Sequence, residues 1–447
     1  MNLILQFLGL IFNLYFVFIF TEANLTSKLA KKTKAESTQL EDSSHLNFST
    51  IINKTHNHNK IKFLNKIAIL LLILYIFFDL QLLLNSKEIV GSNQLTIMDG
   101  IYKINEVRLG LEIFLLVLAI MIINAQTNYY YNKSNTMFSE KNLILLTNIL
   151  GITSLIFSND WLITIISWEL LNISLYLLVS LNSYSESSLS SSLKYVLLSA
   201  LSTGFLLLGV SIIYLLIGNL NYENITISLT QILLLNDQSN ELFSMPNLIN
   251  LAFILILSTI LFKLSAAPFY NWSPDLYDGL NSNITMWMMI IPKISICIFL
   301  YIITSENFLL ISTSSSILLS SIDFLLLLSG ILSLIIGSCA LYAQWNIKRF
   351  LAYSSISHLG FMLLALYSYD FHSYFIYIFI YGSNMIAIFS ILLILSKYFG
   401  REIKSINQLI GIYRLNPFIS IALAINFLSL AGVCLFIFYN ILRFYLI

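Results

Sequence analysis

Apolar runs of about 20 residues recur along the whole chain, separated by short polar breaks. Runs of that length suit helices that cross a hydrocarbon core. A closed barrel would instead show alternating segments of about 10 residues, and none are seen. The pattern predicts twelve spans, at 2–20, 66–84, 109–124, 142–157, 159–181, 192–218, 250–279, 283–304, 323–343, 349–368, 372–396 and 416–440. The expected fold class is all-α, a polytopic transmembrane helix bundle. Residues 2–20 lack a basic leading region and a small-residue cleavage site, so they read as a retained first helix. Residues 22–65 are too polar to cross and read as a loop. The short, serine-rich segment 307–320 reads as re-entrant or interfacial.

Composition agrees with this pattern. Of 447 residues 58% are hydrophobic and 10% charged, with mean hydropathy +0.83, whereas a soluble domain carries about 25% charge. The net charge of +1 gives no reason to expect a nucleic-acid partner; membrane lipid is the implied surroundings. Cys297, Cys339 and Cys434 are scattered through apolar runs, giving neither a disulfide framework nor a metal spacing. His56 and His58 have no further ligand nearby, so no metal site is expected. Loop charge sets the orientation. Loops 22–65, 125–141, 182–191, 280–282, 344–348 and 397–415, with Arg349 at a border, hold fifteen lysines and arginines. The opposite loops hold Lys87, Lys103 and Arg108. The basic side faces the cytoplasm or matrix.

Few charges remain inside the spans, and they are the candidate chemistry. Lys263 and Lys293 sit near the middle of 250–279 and 283–304. Pro268 and Pro274 break the first of these spans by removing backbone donors. Broken helix at membrane depth is tolerated where it faces protein or a water-filled cavity, and a charge there costs roughly 2.5–3.5 kcal/mol on insertion scales. Glu169 and Lys194 lie on consecutive spans joined by a short loop, so they are expected to approach as an ion pair. A lysine held in low dielectric can exchange its proton, and Glu169, Lys194, Lys263 and Lys293 together have the ingredients of a proton relay. His358 is a further candidate, with Ser354, Ser355 and Ser357 near it as hydroxyls that bond across helices. The abundant Tyr and Phe read as lipid-facing filler and interfacial anchors. No nucleotide loop, haem ligand pair or cysteine cluster is found.

At these residues the chain resembles the antiporter-like, proton-translocating membrane subunits of respiratory complex I, the mitochondrial branch in particular. The text that carries the resemblance is SWELLNISLYLLVS, SLKYVLLSALSTGFLLLGVSIIYLLIGNLN, FKLSAAPFYNWSPDLYDG, IPKISI, NIKRFLAYSSISHLGF, LNPF and FLSLAG, in that order across roughly 160–435. The resemblance implies two inverted five-helix repeats, each with a broken helix. The domains are then 1–158, N-terminal helices with the polar loop; 159–304, a first repeat broken around Lys263; and 305–447, an incomplete second repeat. It also implies that Glu169 and Lys194 are the family's carboxylate–lysine pair, Lys263 its central lysine and Lys293 the next relay lysine.

The implied function is proton translocation in the membrane arm of NADH:ubiquinone oxidoreductase, driven by redox chemistry elsewhere. NADH, FMN, iron–sulfur clusters and ubiquinone are expected in other subunits, with no cofactor in this chain. The implied location is the mitochondrial inner membrane, and the implied partners are other complex I membrane subunits, especially neighbouring antiporter-like ones. A stand-alone cation/proton antiporter and a non-pumping structural subunit are the alternatives.

Two departures stand out. Where many relatives have a histidine after Pro-Phe, this chain has Tyr270, and a phenol is not a proton carrier near neutral pH. After Gly432 the family's Pro-rich text and exit lysine do not follow; Leu442 stands in the lysine's place, beside Arg443. Three explanations are open: a split gene whose remainder comes from a separate chain, closing residues that belong to a gene-model error, or a truncated subunit.

Overall fold

The computed structural model describes residues 65–83, 95–98, 100–127, 138–181, 186–235, 245–305 and 317–431. The expected span 2–20, nearly all of loop 22–65, most of segment 307–320, and Leu442 and Arg443 lie outside the described residues. The described part begins with α1 (Asn65–Leu83), followed by a hairpin of β1 (Leu95–Ile97) and β2 (Tyr102–Ile104). Then come α2 (Glu106–Thr127), α3 (Phe138–Phe157), α4 (Trp161–Ser180), α5 (Glu186–Ile217) and α6 (Tyr222–Leu235). After these follow α7 (Met245–Leu264), α8 (Trp272–Gly279), α9 (Ser282–Ser305), α10 (Ile317–Leu341), α11 (Ile347–Tyr367) and α12 (Phe371–Phe399). Short α13 (Ile412–Leu415) and α14 (Pro417–Leu430) close the described chain.

Every expected span that falls among the described residues carries a helix. Among the described residues, nine helices are long and apolar enough to cross a membrane: α1, α3, α4, α5, α7, α9, α10, α11 and α12. Two elements were not anticipated. The hairpin pairs Leu95 with Ile104 and Ile97 with Tyr102 in antiparallel register, and α6 occupies part of the stretch between two expected spans. Both belong to one polar end of the bundle. There the Arg108 guanidinium donates to the carbonyls of Lys103 (3.3 Å), Phe157 (3.1 Å) and Ser158 (3.0 Å). In the same region the Tyr222 amide donates to the Asn159 carbonyl at 3.1 Å.

The bundle is built around α9. Every residue of α9 except Tyr301 and Ser305 is buried, so it has neither a solvent nor a lipid face. It packs against α2, α3, α4, α7, α11 and α12. Its backbone is held by phenols of α12: the Tyr381 hydroxyl donates to the Met289 carbonyl at 3.1 Å, and Tyr374 to the Cys297 carbonyl at 2.7 Å. Trp287 donates its indole N–H to Asn148 Oδ1 at 3.0 Å, and Asn148 in turn donates to Ser174 at 2.8 Å. These bonds fix α9 in rotation, which dispersion between apolar surfaces leaves weakly specified.

α10 and α11 approach through glycines. A Cβ at Gly337 would stand 2.7 Å from the Ser357 amide nitrogen, and one at Gly360 would stand 2.5 Å from Ser333 Oγ and 2.8 Å from the Gly330 carbonyl. Small residues at such a crossing let the two backbones pack directly.

Candidate functional site

The site begins where α7 ends. Pro268 has no amide hydrogen and restricts the residue before it, so the helix must close ahead of it. Ser265 takes φ +60, and the amides of Ser265 and Ala266 bond back to the carbonyls of Phe262 (2.9 Å) and Leu261 (3.0 Å). The chain resumes as helix at Trp272, whose indole N–H reaches back to the Phe262 carbonyl at 3.0 Å. That bond fastens the second half of the broken helix to the first. The break expected around Lys263 is therefore present, directly after that residue.

Lys263 lies in the last turn of α7, 5% exposed. Its ammonium has no hydrogen-bond partner among the described residues. It lies instead over two rings, Tyr195 of α5 at 5.2 Å and Tyr176 of α4 at 5.7 Å. The rings brace one another edge to face, 5.7 Å apart. Trp272 packs 5.0 Å behind Tyr195, and Ser199 bonds the Tyr176 hydroxyl. A desolvated cation over two aromatic faces gains an attraction that alkyl walls would not supply. Glu169, one face of α4 with Tyr176, acts electrostatically on this ammonium. It forms no ion pair among the described residues.

Lys293 is 2% exposed and, unlike Lys263, hydrogen-bonded. It donates to Ser265 Oγ and Ser355 Oγ, both at 2.9 Å, and lies over the Tyr277 ring at 5.5 Å. Ser265 belongs to the break and stands two residues after Lys263. The left-handed turn thus presents a hydroxyl to the second lysine while ending the helix of the first. Ser355 stands one turn from His358 on α11. The imidazole is 8% exposed, with Nδ1 at 2.7 Å from the Tyr377 hydroxyl.

Lys194 is located elsewhere. It is exposed and paired with Asp275 at 3.3 Å, so the expected approach to Glu169 is not the arrangement observed. Asp275 follows the break on α8 and also faces Arg349 at 3.7 Å; Arg349 in turn meets Asp278 at 3.0 Å. A row of alternating charge thus runs from α5 across α8 to α11. Beside it Lys348 bonds Glu402 at 3.2 Å and the Leu280 carbonyl, and Glu402 accepts from the amide and hydroxyl of Ser282 at 3.4 Å. This buried pair ties the start of α9 to the segment after α12. Tyr270, in the place of the family's histidine, is half-buried, and its carbonyl accepts from the Ser273 amide at 3.1 Å.

Sequence reasoning missed the aromatic residues of the site. Tyr176, Tyr195 and Tyr277 surround the two lysines rather than lining lipid. The one available signal was that Tyr176 and Tyr195 share helices with Glu169 and Lys194.

Comparison with known proteins gives a consistent picture. Residues 158–445 match the family model described as NADH:quinone oxidoreductase/Mrp antiporter, TM. The chain is 32% identical over 399 residues to NADH-ubiquinone oxidoreductase chain 2 of Rhizopus oryzae, covering 83% of this chain and 72% of that one. It is 28% identical over 349 residues to NADH-quinone oxidoreductase subunit N of Ruthia magnifica, covering 77% and 69%. Among solved structures it resembles a chain of respiratory complex I from Thermus thermophilus, with TM-score 0.61, 24% identity and coverage of 83% and 74%. It also resembles a chain of an archaeal membrane-bound sulfane sulfur reductase, with TM-score 0.66, 18% identity and coverage of 83% and 75%. A broken helix flanked by buried lysines thus occurs inside a match that takes in well over half the chain, and the chain belongs to the NADH:quinone oxidoreductase/Mrp antiporter transmembrane family.

Proposed function

We propose that this chain is a membrane-arm subunit of NADH:quinone oxidoreductase and carries protons through Glu169, Lys263 and Lys293, with redox chemistry in partner subunits as the energy source. The observation that carries this reading is the geometry at the break. Lys263 is buried without a hydrogen bond among the described residues, and two residues on, Ser265 accepts one from Lys293. Among the described residues the Lys263 ammonium has no hydrogen-bond partner and lies over two aromatic faces, so no acceptor there competes for its proton. Lys293 has two hydroxyl acceptors that equally serve as donors once its nitrogen is neutral. A proton lost from Lys263 changes the field on its neighbours by a Coulomb energy of a few kcal/mol at contact, at an effective dielectric of about 20. Lys194 and Asp275 would form the outer end of the path, and His358 with Tyr377 its continuation.

The test is Lys263→Met in the assembled complex reconstituted into vesicles. Proton pumping per NADH oxidised should fall while assembly and the complex's redox centres remain. Unchanged pumping would leave the chain a structural subunit. The family description also names the Mrp antiporters, which favours a stand-alone cation/proton antiporter as the second reading. That reading requires cation-driven proton exchange without NADH or partner subunits.

A further inference from the structure

A second group of buried titratable side chains lies where α1, α2 and α3 meet. Glu112 of α2 is 0% exposed and Asp79 of α1 is 4% exposed. Tyr75 and Asp79 stand four residues apart and so share one face of α1. The Tyr75 hydroxyl donates to Glu112 Oε1 at 2.8 Å, and Asp79 acts electrostatically on the same carboxyl. Glu112 Oε2 and Asp79 Oδ2 have no hydrogen-bond partner, and neither carboxyl forms an ion pair among the described residues. Beside Glu112 lies a cavity of about 10 Å³, lined by aliphatic side chains, by Thr153 of α3 and by Ile291 of α9. A cavity of that size holds one water when polar groups face it. Here Glu112 and Thr153 face it. The Thr153 hydroxyl donates to the Leu150 carbonyl at 3.1 Å and also meets the Tyr75 phenol.

Asp79 acts on Glu112 electrostatically across a buried region, and carboxyls coupled in low dielectric titrate as a pair that can share one proton. The groups facing Glu112 are Tyr75 and Asp79 from α1 and Thr153 from α3, and α9 contributes uncharged Ile291. Among the described residues no cation pairs with either carboxyl. Oε1 is engaged by the phenol, which leaves Oε2 as the oxygen that takes the proton.

We propose that Glu112, with Asp79 and Tyr75, forms a proton-holding site with one bound water, separate from the lysine path. On uptake, a proton from the aqueous phase forms the O–H bond at Glu112 Oε2 and the pair's net charge rises by one unit; release breaks that bond and returns the proton. The site lies before residue 158, outside the stretch matched by the family model, so membership of the family does not imply it. Its truth does not depend on the lysine relay.

The test is infrared difference spectroscopy of the intact complex across a pH titration in ordinary and heavy water. The expected result is a protonated-carboxyl C=O band that is absent in Glu112→Gln, present in Lys263→Met and indifferent to sodium. In Tyr75→Phe the band should shift, because one hydrogen bond to the carboxyl is gone. A spectrum unchanged by Glu112→Gln would overturn the proposal. So would a band governed by sodium rather than pH, which would make this a cation site. If Glu112→Gln does not assemble, Tyr75→Phe decides, and an unshifted band overturns the proposal.

Discussion

Lys293 donates to Ser265 across the helix break at 2.9 Å, so the residue that ends the helix of one buried lysine solvates the other. Ser265 has two separable roles, its hydroxyl and its left-handed backbone at φ +60. Glycine adopts that conformation freely and alanine does not. Ser265→Gly should therefore assemble with slower pumping, whereas Ser265→Ala should also lose stability. Losing one hydrogen bond to a buried charged group costs about 1.5–3 kcal/mol. Assembly on native gels, read beside pumping in vesicles, separates the two effects.

The rings over Lys263 give a second expectation. Tyr195→Phe keeps the aromatic face and should retain pumping. Tyr195→Leu removes the face and should reduce it, since a desolvated cation–π contact is worth about 2 kcal/mol. Equal behaviour of the two variants would mean that the hydroxyl or simple packing matters instead.

Lys194 and Asp275 are both substantially exposed, at 61% and 47%. An exposed pair contributes about 0–1 kcal/mol. Lys194→Gln should leave thermal stability within that margin, so any loss of pumping in this variant reports on proton transfer rather than folding.

Lys348 and Glu402 are the opposite case, at 7% and 15% exposed. Removing one partner of a buried pair costs about 3–5 kcal/mol, because the other charge is left stranded. Lys348→Met and Glu402→Gln should each destabilise strongly, and the double variant should recover part of the loss. A double-mutant cycle on thermal unfolding measures the coupling directly.

Gly360 faces Ser333 and the Gly330 backbone with no room for a Cβ. Gly360→Ala should force α10 and α11 apart, at about 1–3 kcal/mol for overpacking. A lowered unfolding temperature that Gly204→Ala does not reproduce checks this, since nothing stands within 4 Å of a Cβ at Gly204.

The helices, the break and the charged residues were legible along the chain because each is a local property. An apolar run of 20 residues, a Pro268 without its amide hydrogen and an isolated lysine each carry their meaning in sequence. What escaped were relations between distant segments. Lys194 meets Asp275, 81 residues away, rather than the carboxylate on the neighbouring span. Tyr176 and Tyr195 have the composition of lipid-facing anchors and became the walls around Lys263. The hairpin at 95–104 and helix α6 escaped for a different reason: their short, mixed stretches lack a long periodic signal.

Hydropathy thus determined which segments are helices in the membrane, because the bilayer admits few other backbones. Proline and lysine marked where one of those helices breaks and which groups make the break costly. Rotation and neighbour choice belong to the tertiary structure. Apolar helices in lipid gain little from one mutual orientation over another, so phenols bonded to α9, the α9 indole bonded to Asn148, and glycines between α10 and α11 decide which faces meet. Only that choice sets Ser265 against Lys293, two tyrosines over Lys263, and Glu112 beside its cavity.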